Sequence, residues 1–366
     1  MTTPTIDTAI CPHLRTTRTV PSRQPAAHDP QTSSAHCARW APGQQVVLMT
    51  LGAQHGRPGH LPSSVLDTPL ALVAHGGPGT YDVGTSTDAA GREARTVLAY
   101  WPSRAAFATW RSASGFDTWW NDAAREVEPG GYGWFLEVVA PTDDRMEALL
   151  GSAAGLREGA ARLAPHASGP VREAGYWGAS RDRLGIAQTD AVAGLEWCGD
   201  TERAKDDRDD NASGVRVKVR TRRNLCFTRS GQDWTGADDD ERALYLSTLH
   251  LALQRAMDKL RDSPKMGCYS ARFVRQLAPP SPGSNEWTEQ DKTYGLAYFD
   301  DLASLEAWAA AEPTHLELFH GLSDYATQLK GNKKLQLWHE IFILTPDQQE
   351  YEYINCPPGT GMLASL

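Results

Sequence analysis

The segments AYWPSRAAFATW (99–110) and AYFDDLASLEAW (297–308) align without a gap, and the reading of this pair decides the fold. In each, a short aromatic strand end is followed by apolar residues at helical spacing that close on a tryptophan, Trp110 or Trp308. Farther along, WFLEVVAPTDD (134–144) matches LWHEIFILTPD (337–347), with Glu137 at the place of Glu340 and Leu136 at the place of His339. Two amphipathic segments can match by chance, but here the order of elements repeats along with the residues. Antiparallel strands with helices on one face then predict an α+β fold of two ferredoxin-like halves whose sheets join into a barrel-like whole. The halves fall at about 44–174 and 265–366 of a single domain, 44–366, with 175–264 connecting them. Residues 1–43, rich in Pro, Thr, Ser and Arg and without sustained periodicity, predict an extended N-terminal arm.

Other elements follow from local pattern. VVLMTLGAQ (46–54) reads as a strand, and the Gly/His/Pro-rich piece from 55 to 80 as a long loop. DDDERALYLSTLHLALQRAMDKLRD (238–262) begins acidic and ends basic, as one helix should, with Leu246, Leu249, Leu253, Met257 and Leu260 as its buried stripe and His250 beside it. FTRSGQDW (227–234) reads as a strand running into a turn, whose small and amide side chains either shape the turn or meet a ligand. VRVKVRTRR (215–223) sets Arg216, Lys218, Arg220 and Arg222 on one face, either solvated against the acidic loop 201–211 or docking carboxylates.

Composition narrows the partners. At 366 residues with 40% hydrophobic and 22% charged residues, the chain can bury a core large enough to enclose a cofactor. A net charge of −9 argues against nucleic acid or an anionic membrane as the main partner and favours a small molecule. The six cysteines have no CxxC pairing and read as reduced packing residues of a cytoplasmic protein. The N-terminus has no apolar core of a signal peptide, and no run approaches a membrane span.

Chemistry concentrates in two histidine-bearing stretches. In QLWHEIFIL (336–344), alternation puts His339 on an apolar face with Leu337, Ile341 and Ile343, and Glu340 on the other face as a surface or salt-bridged residue. An imidazole so placed is either satisfied by one hydrogen bond or lines a cavity as a proton donor and acceptor. In EPTHLELFHGL (312–322), His315 and His320 point in different directions on a helix, so only one easily faces the core, where it could cap, pack or ligate a haem iron without a CxxCH motif. Walker, GxGxxG, GxSxG and HExxH motifs are all missing.

Taken in order, GYWGASRDR, FTRSGQDW, DERALYL, GCYSARFVR, PTHLELF, LWHE and YEYINCPPGTGML resemble the haem-containing aldoxime dehydratases, from about residue 10 to the C-terminus. The resemblance implies a haem-binding α/β barrel, haem b in the ferrous state as cofactor, and the reaction R–CH=N–OH to R–C≡N plus water; exposed sheet edges, which often pair in such barrels, add the expectation of a homodimer. Residue by residue, it implies His315 as the proximal haem ligand and His339 as the distal histidine. It further implies Ser230 as the hydrogen-bond partner of the oxime hydroxyl, Arg183 as the distal arginine, and Glu147 in DDRMEAL as the support of His339. Arg181 lies two residues from Arg183. GNKK (331–334) reads as an insertion between the two histidines, which leaves His320 as a competing ligand, and the basic strand at 215–223 departs from the family pattern. The rival expectations are a peroxidase-like or chlorite-dismutase-like enzyme on the same scaffold and a haem sensor without turnover.

Overall fold

The computed structural model describes residues 6–29, 34–127, 130–151, 157–194, 215–281, 283–284 and 286–366. Among these residues thirteen strands form one sheet, in the order β7-β1-β6-β12-β9-β11-β10-β3-β4-β2-β5-β13-β8. The first six are β1 (His36–Arg39), β2 (Val47–His55), β3 (Thr80–Thr87), β4 (Glu93–Trp101), β5 (Tyr132–Val139) and β6 (Met146–Leu150). After β7 (His166–Ala167) and β8 (Arg216–Lys218) come β9 (Leu225–Asp233), β10 (Cys268–Ala278), β11 (Thr288–Phe299), β12 (Gln336–Leu344) and β13 (Gln349–Ile354). The helices are α1 (Asp67–Ala74), α2 (Arg104–Ala113), α3 (Phe116–Trp120), α4 (Ala179–Arg183), α5 (Asp239–Ser247), α6 (Leu249–Arg261), α7 (Leu302–Ala311) and α8 (Pro313–Gln328).

The repeat is visible in the topology. Strands β2, β3, β4 and β5 lie in the spatial order β5-β2-β4-β3, and β9, β10, β11 and β12 in the same order, β12-β9-β11-β10, which is the ferredoxin-like arrangement of a split βαβ unit. The stretch 175–264, read from the sequence as a connector, thus supplies β9, α5 and α6 to the second set. Each set sends its next strand across: β6 pairs with β12, and β13 pairs with β5. The helices that follow the duplicated strand ends are capped alike, Ser103 accepting from Ala106 N at 3.1 Å and Asp301 from Ser304 N at 2.9 Å, each cap contributing about 1 kcal/mol.

The sheet ends at β7 and β8, and its hydrogen bonds do not close it into a barrel among the described residues. It is nonetheless curled, because Tyr100 on β4 donates to Glu340 on β12 at 2.5 Å although four strands lie between them in the sheet order. This corrects the surface reading of Glu340, which is fully buried. Tyr100 and the Ala160 N–H, at 2.7 Å, satisfy its carboxylate, while Arg229 beneath it pairs with Asp82 at 2.7 Å. Burial raises the Glu340 carboxyl above its usual range, an effect that Arg229 and Tyr100 oppose.

Four other readings change. The stretch 55–80 is not one loop, since α1 and a short 3₁₀ turn at Ser63–Leu66 occupy it, burying Val65, Leu66 and Val73. The long helix is two, broken at Thr248 (φ −123°, ψ −85°), and only α6 carries the buried Leu249, Leu253, Met257 and Leu260 stripe. SGQD is not a turn: β9 runs unbroken through Asp233 because both its neighbours pair with these residues. Part of the N-terminal segment is sheet, β1 pairing with β6 and β7. Arg216 of the basic strand meets Glu126 at 3.1 Å and Glu352 at 2.5 Å, and the acidic loop 201–211 lies outside the described residues. The five described cysteines are free thiols. Among the described residues, no helix is long and apolar enough to cross a membrane.

The two sets differ in what lies between sheet and helices. In the first, Trp101, Trp110, Phe116, Trp120 and Trp134 fill that space. In the second, the matching face of β9, β11 and β12 presents Thr228, Ser230, Gly295, Ala297, His339 and Ile341, and a cavity remains.

Candidate active site

The cavity is about 640 Å³, within the roughly 300–1,000 Å³ of small-molecule sites, with that sheet face as floor and α4, α6, α7 and α8 around it. A second lobe of about 230 Å³ adjoins it, sharing Ser230, His339 and Leu149 as lining and walled by Leu249, Leu322, Leu335 and Leu337. Register places the floor residues: His339 lies directly opposite Ser230 across the β12–β9 ladder and opposite Leu149 on β6, and Glu147 opposes Ile341. Alternation along each strand puts all of these on one face.

His339 is held by a buried ion pair. Arg183 and Glu147, whose side chains are 3% and 2% exposed, bond through two contacts, Nε to Oε2 at 3.0 Å and a terminal nitrogen to Oε1 at 2.9 Å. His339 Nε2 is 3.0 Å from Glu147 Oε1 and 2.8 Å from the same Arg183 nitrogen. A protonated Nε2 donates to the carboxylate and an unprotonated one accepts from the guanidinium, so the pair serves either state of the ring. Nδ1 has no hydrogen-bond partner among the described residues. Burial alone would push the Glu147 carboxyl up, but Arg183 and then His339 outweigh it and bring it down to about 2.

That depression has a sign. A carboxyl lowered from 4.5 to about 2 on folding adds on the order of 3 kcal/mol of stability above its unfolded pKa, lost as pH falls through the folded one. Urea titrations at pH 7 and pH 3 should show the native protein losing about 2 kcal/mol of that contribution, since pH 3 still lies above the folded value, while Glu147→Gln, already about 3–5 kcal/mol weaker at pH 7 through the stranded Arg183, should lose less on acidification. Equal losses in both proteins would mean that Glu147 is not ionised in the fold.

On the opposite side stands His315, near the start of α8, against the Trp308 ring at a centroid distance of 4.5 Å. Its Nδ1–H donates to the Ala309 carbonyl at 2.8 Å, in the last turn of α7, which leaves Nε2 as the basic nitrogen, and burial lowers the imidazole pKa. His320 is exposed and does not line the cavity. Arg181 also turns away, its guanidinium held by Glu306 at 2.8 Å. Four of the five residues carried by the resemblance therefore line one space, His315 across from His339, Ser230 and Arg183, and Glu147 stands behind it, bonded to His339 and Arg183. Sequence reasoning missed Trp308 and Trp177, whose ring lies 6.0 Å from His315; Trp308 already stood in the repeat as its closing residue.

The residues present fit a haem. One imidazole with a fixed tautomer faces a roomy space walled by Leu253, Ala256, Leu260, Leu305 and Leu318, and the floor opposite is kept low by Gly295, where a Cβ would meet Met257 Sδ at 2.8 Å.

Comparison with known proteins agrees. The family model described as haem-containing dehydratase matches residues 51–362. The chain belongs to the haem-containing dehydratases. Within that family it is 35% identical to the aliphatic aldoxime dehydratase of Pseudomonas chlororaphis, over 98% of both chains, and 26% identical to the phenylacetaldoxime dehydratase of Bacillus sp. (strain OxB-1), over 93% of both. A crystal structure of aldoxime dehydratase superposes with a TM-score of 0.85 at 34% identity over 98% of each chain. A second, of an aldoxime dehydratase in complex with butyraldoxime, gives the same TM-score and identity over 98% of this dehydratase and 96% of that chain.

Proposed function

We infer that the protein is a lyase that dehydrates aldoximes to nitriles with ferrous haem b as its cofactor, whose iron His315 Nε2 would hold. The observation that carries this reading is the pairing of one unprotonated imidazole nitrogen with a proton-handling group on the facing wall of the same apolar cavity. When bound, the haem would supply an iron that can hold the oxime nitrogen and polarise its N–O bond.

The chain's residues handle position and protons. Ser230 Oγ, beside His339 on the next strand, orients the oxime hydroxyl. With Nε2 engaged by Glu147 and Arg183, Nδ1 is the ring nitrogen left for the substrate. It gives its proton to the departing oxygen, which leaves as water, and the neutral ring then takes the proton from the oxime carbon as the triple bond forms. Atoms and charge balance, since the imidazole returns to its starting state. Glu147 Oε1 can accept from a protonated Nε2 and Arg183 can donate to an unprotonated one, so neither state is left without a partner. The leucine-walled lobe takes the hydrocarbon end of the substrate and excludes water.

The buried thiols suit a reducing, cytoplasmic compartment, and the edge at β8, last in the sheet order among the described residues, supports pairing of two copies as a homodimer. To test the activity, the haem-loaded protein is reduced anaerobically, mixed with butyraldoxime or phenylacetaldoxime, and assayed for nitrile. Nitrile from the reduced sample alone, with a shifted Soret band on oxime addition, is the expected result. Bound haem with no nitrile from either oxime would overturn the reading.

A further inference from the structure

Asp182 stands next to Arg183 on α4 and is only 1% exposed, yet its carboxylate takes partners from elsewhere in the chain. Oδ2 accepts from Ser22 Oγ at 2.7 Å, the Arg23 N–H at 2.9 Å and Tyr176 Oη at 2.9 Å. Arg18 donates to the Asp182 carbonyl at 3.0 Å and lies 3.5 Å from Oδ1. One side chain thus joins three pieces: the N-terminal segment, the turn before α4, and α4 itself.

All three pieces border the cavity. Pro25, two residues past Arg23, lines it, as do Tyr176 and Trp177. The turn carrying those aromatics is set by left-handed Gly175 (φ +82°) and Gly178 (φ +89°), and a Cβ at Gly178 would meet the Arg23 Cβ at 2.7 Å, so the segment lies directly against it. Thr19 and Val20 add backbone bonds to the Gln188 carbonyl at 2.9 and 3.1 Å. A helix of five residues has too few internal hydrogen bonds to hold its own orientation, so α4 is aimed by what it is tied to.

We propose that Asp182 is a positioning residue through which residues 16–25 complete the catalytic cavity, its carboxylate fixing both the aim of Arg183 and the turn that holds Trp177 beside His315. This rests on the role given to Arg183 above. The sequence could not show it, because Ser22 and Arg23 lie about 160 positions away from the carboxylate they bond.

The test uses the full-length holoenzyme and three variants, Asp182→Asn, Tyr176→Phe and Arg183→Ala, with kcat expressed per bound haem and hydrogen exchange followed over residues 16–25 and 175–183. Asp182→Asn is expected to lower kcat about 10- to 100-fold with KM within about twofold, the penalty of displacing a catalytic group by around 1 Å, and to speed exchange in both segments. Tyr176→Phe removes one of the three bonds to Oδ2 and should give a smaller fall in kcat, with faster exchange confined to 175–183. A purely structural role would lower Tm and the fraction of active protein while leaving kcat per haem unchanged. The proposal is overturned if Asp182→Asn turns over within twofold of the native enzyme, or if its 16–25 exchange does not change, while Arg183→Ala is impaired. Normal turnover by Arg183→Ala would instead remove the reading on which the proposal stands. Should Asp182→Asn fail to fold, the Tyr176→Phe result decides alone, unchanged kcat and exchange overturning the proposal.

Discussion

His315→Ala is expected to fold and to hold no haem. The side chain is half-buried at a cavity wall, so its loss enlarges an existing space rather than opening a void in packed core, and the sheet, α7 and most of α8 keep their contacts. What disappears is the one cavity nitrogen prepared as a ligand: Nδ1–H is committed to Ala309, so Nε2 carries the lone pair. Neither remaining candidate replaces it. His339 stands on the facing wall, where Nε2 is taken by Glu147 and Arg183 and the open Nδ1 belongs to the substrate side, and Met257 offers only a thioether from α6. After reconstitution and desalting, the Soret band should fall to background while far-ultraviolet circular dichroism stays native, and added imidazole should restore part of the band by entering the space left behind. Full haem retention would show that another residue ligates, and His320→Ala would then be the next variant to examine, although its exposure on α8 argues against it.

Much of the fold was legible because duplication writes the same instruction twice. The AYW/AYF segments, their helix caps at Ser103 and Asp301, and the WFLEVV/LWHEIF strands occupy equivalent places in two identical strand orders. What the residues could not show was the exchange of β6 and β13 between the sets, since nothing in a strand's own pattern names its neighbour. The break at Thr248 was hidden for a different reason: helix propensity is continuous across it, and tertiary packing of Tyr245 and Leu249 into one cluster decides the bend.

The site was legible less evenly. Alternation in QLWHEIFIL put His339 on its face, and helical spacing separated His315 from His320. The same alternation put Glu340 on the opposite face but could not say that this face is interior, because that depends on the sheet curling until β4 meets β12. Glu147 and Arg183 give no local signal at all. One is a single carboxylate in a short strand, the other the end of a five-residue helix, and they meet only because β6 has crossed to pair with β12.

His339→Ala should separate cofactor from chemistry. Haem is expected to remain, since His315 and the apolar walls are untouched, and the reduced protein should still change its spectrum when oxime is added. Nitrile formation should fall by about 10²–10⁴-fold, the range for losing a positioned general acid and base. The loss falls on kcat rather than on oxime affinity, because Ser230 and the leucine-walled lobe still hold the substrate. Ser230→Ala should do the reverse in part, weakening oxime binding while proton transfer from His339 persists. The substitution also leaves the Glu147–Arg183 pair intact and two-point bonded, so lost activity cannot be assigned to a collapsed ion pair. Stopped-flow spectra with a nitrile assay on the same sample resolve the two steps. A variant that binds oxime and makes nitrile at the native rate would show that the departing oxygen takes its proton from elsewhere, and Arg183, the other polar cation bordering the cavity beside His339, would become the group to replace.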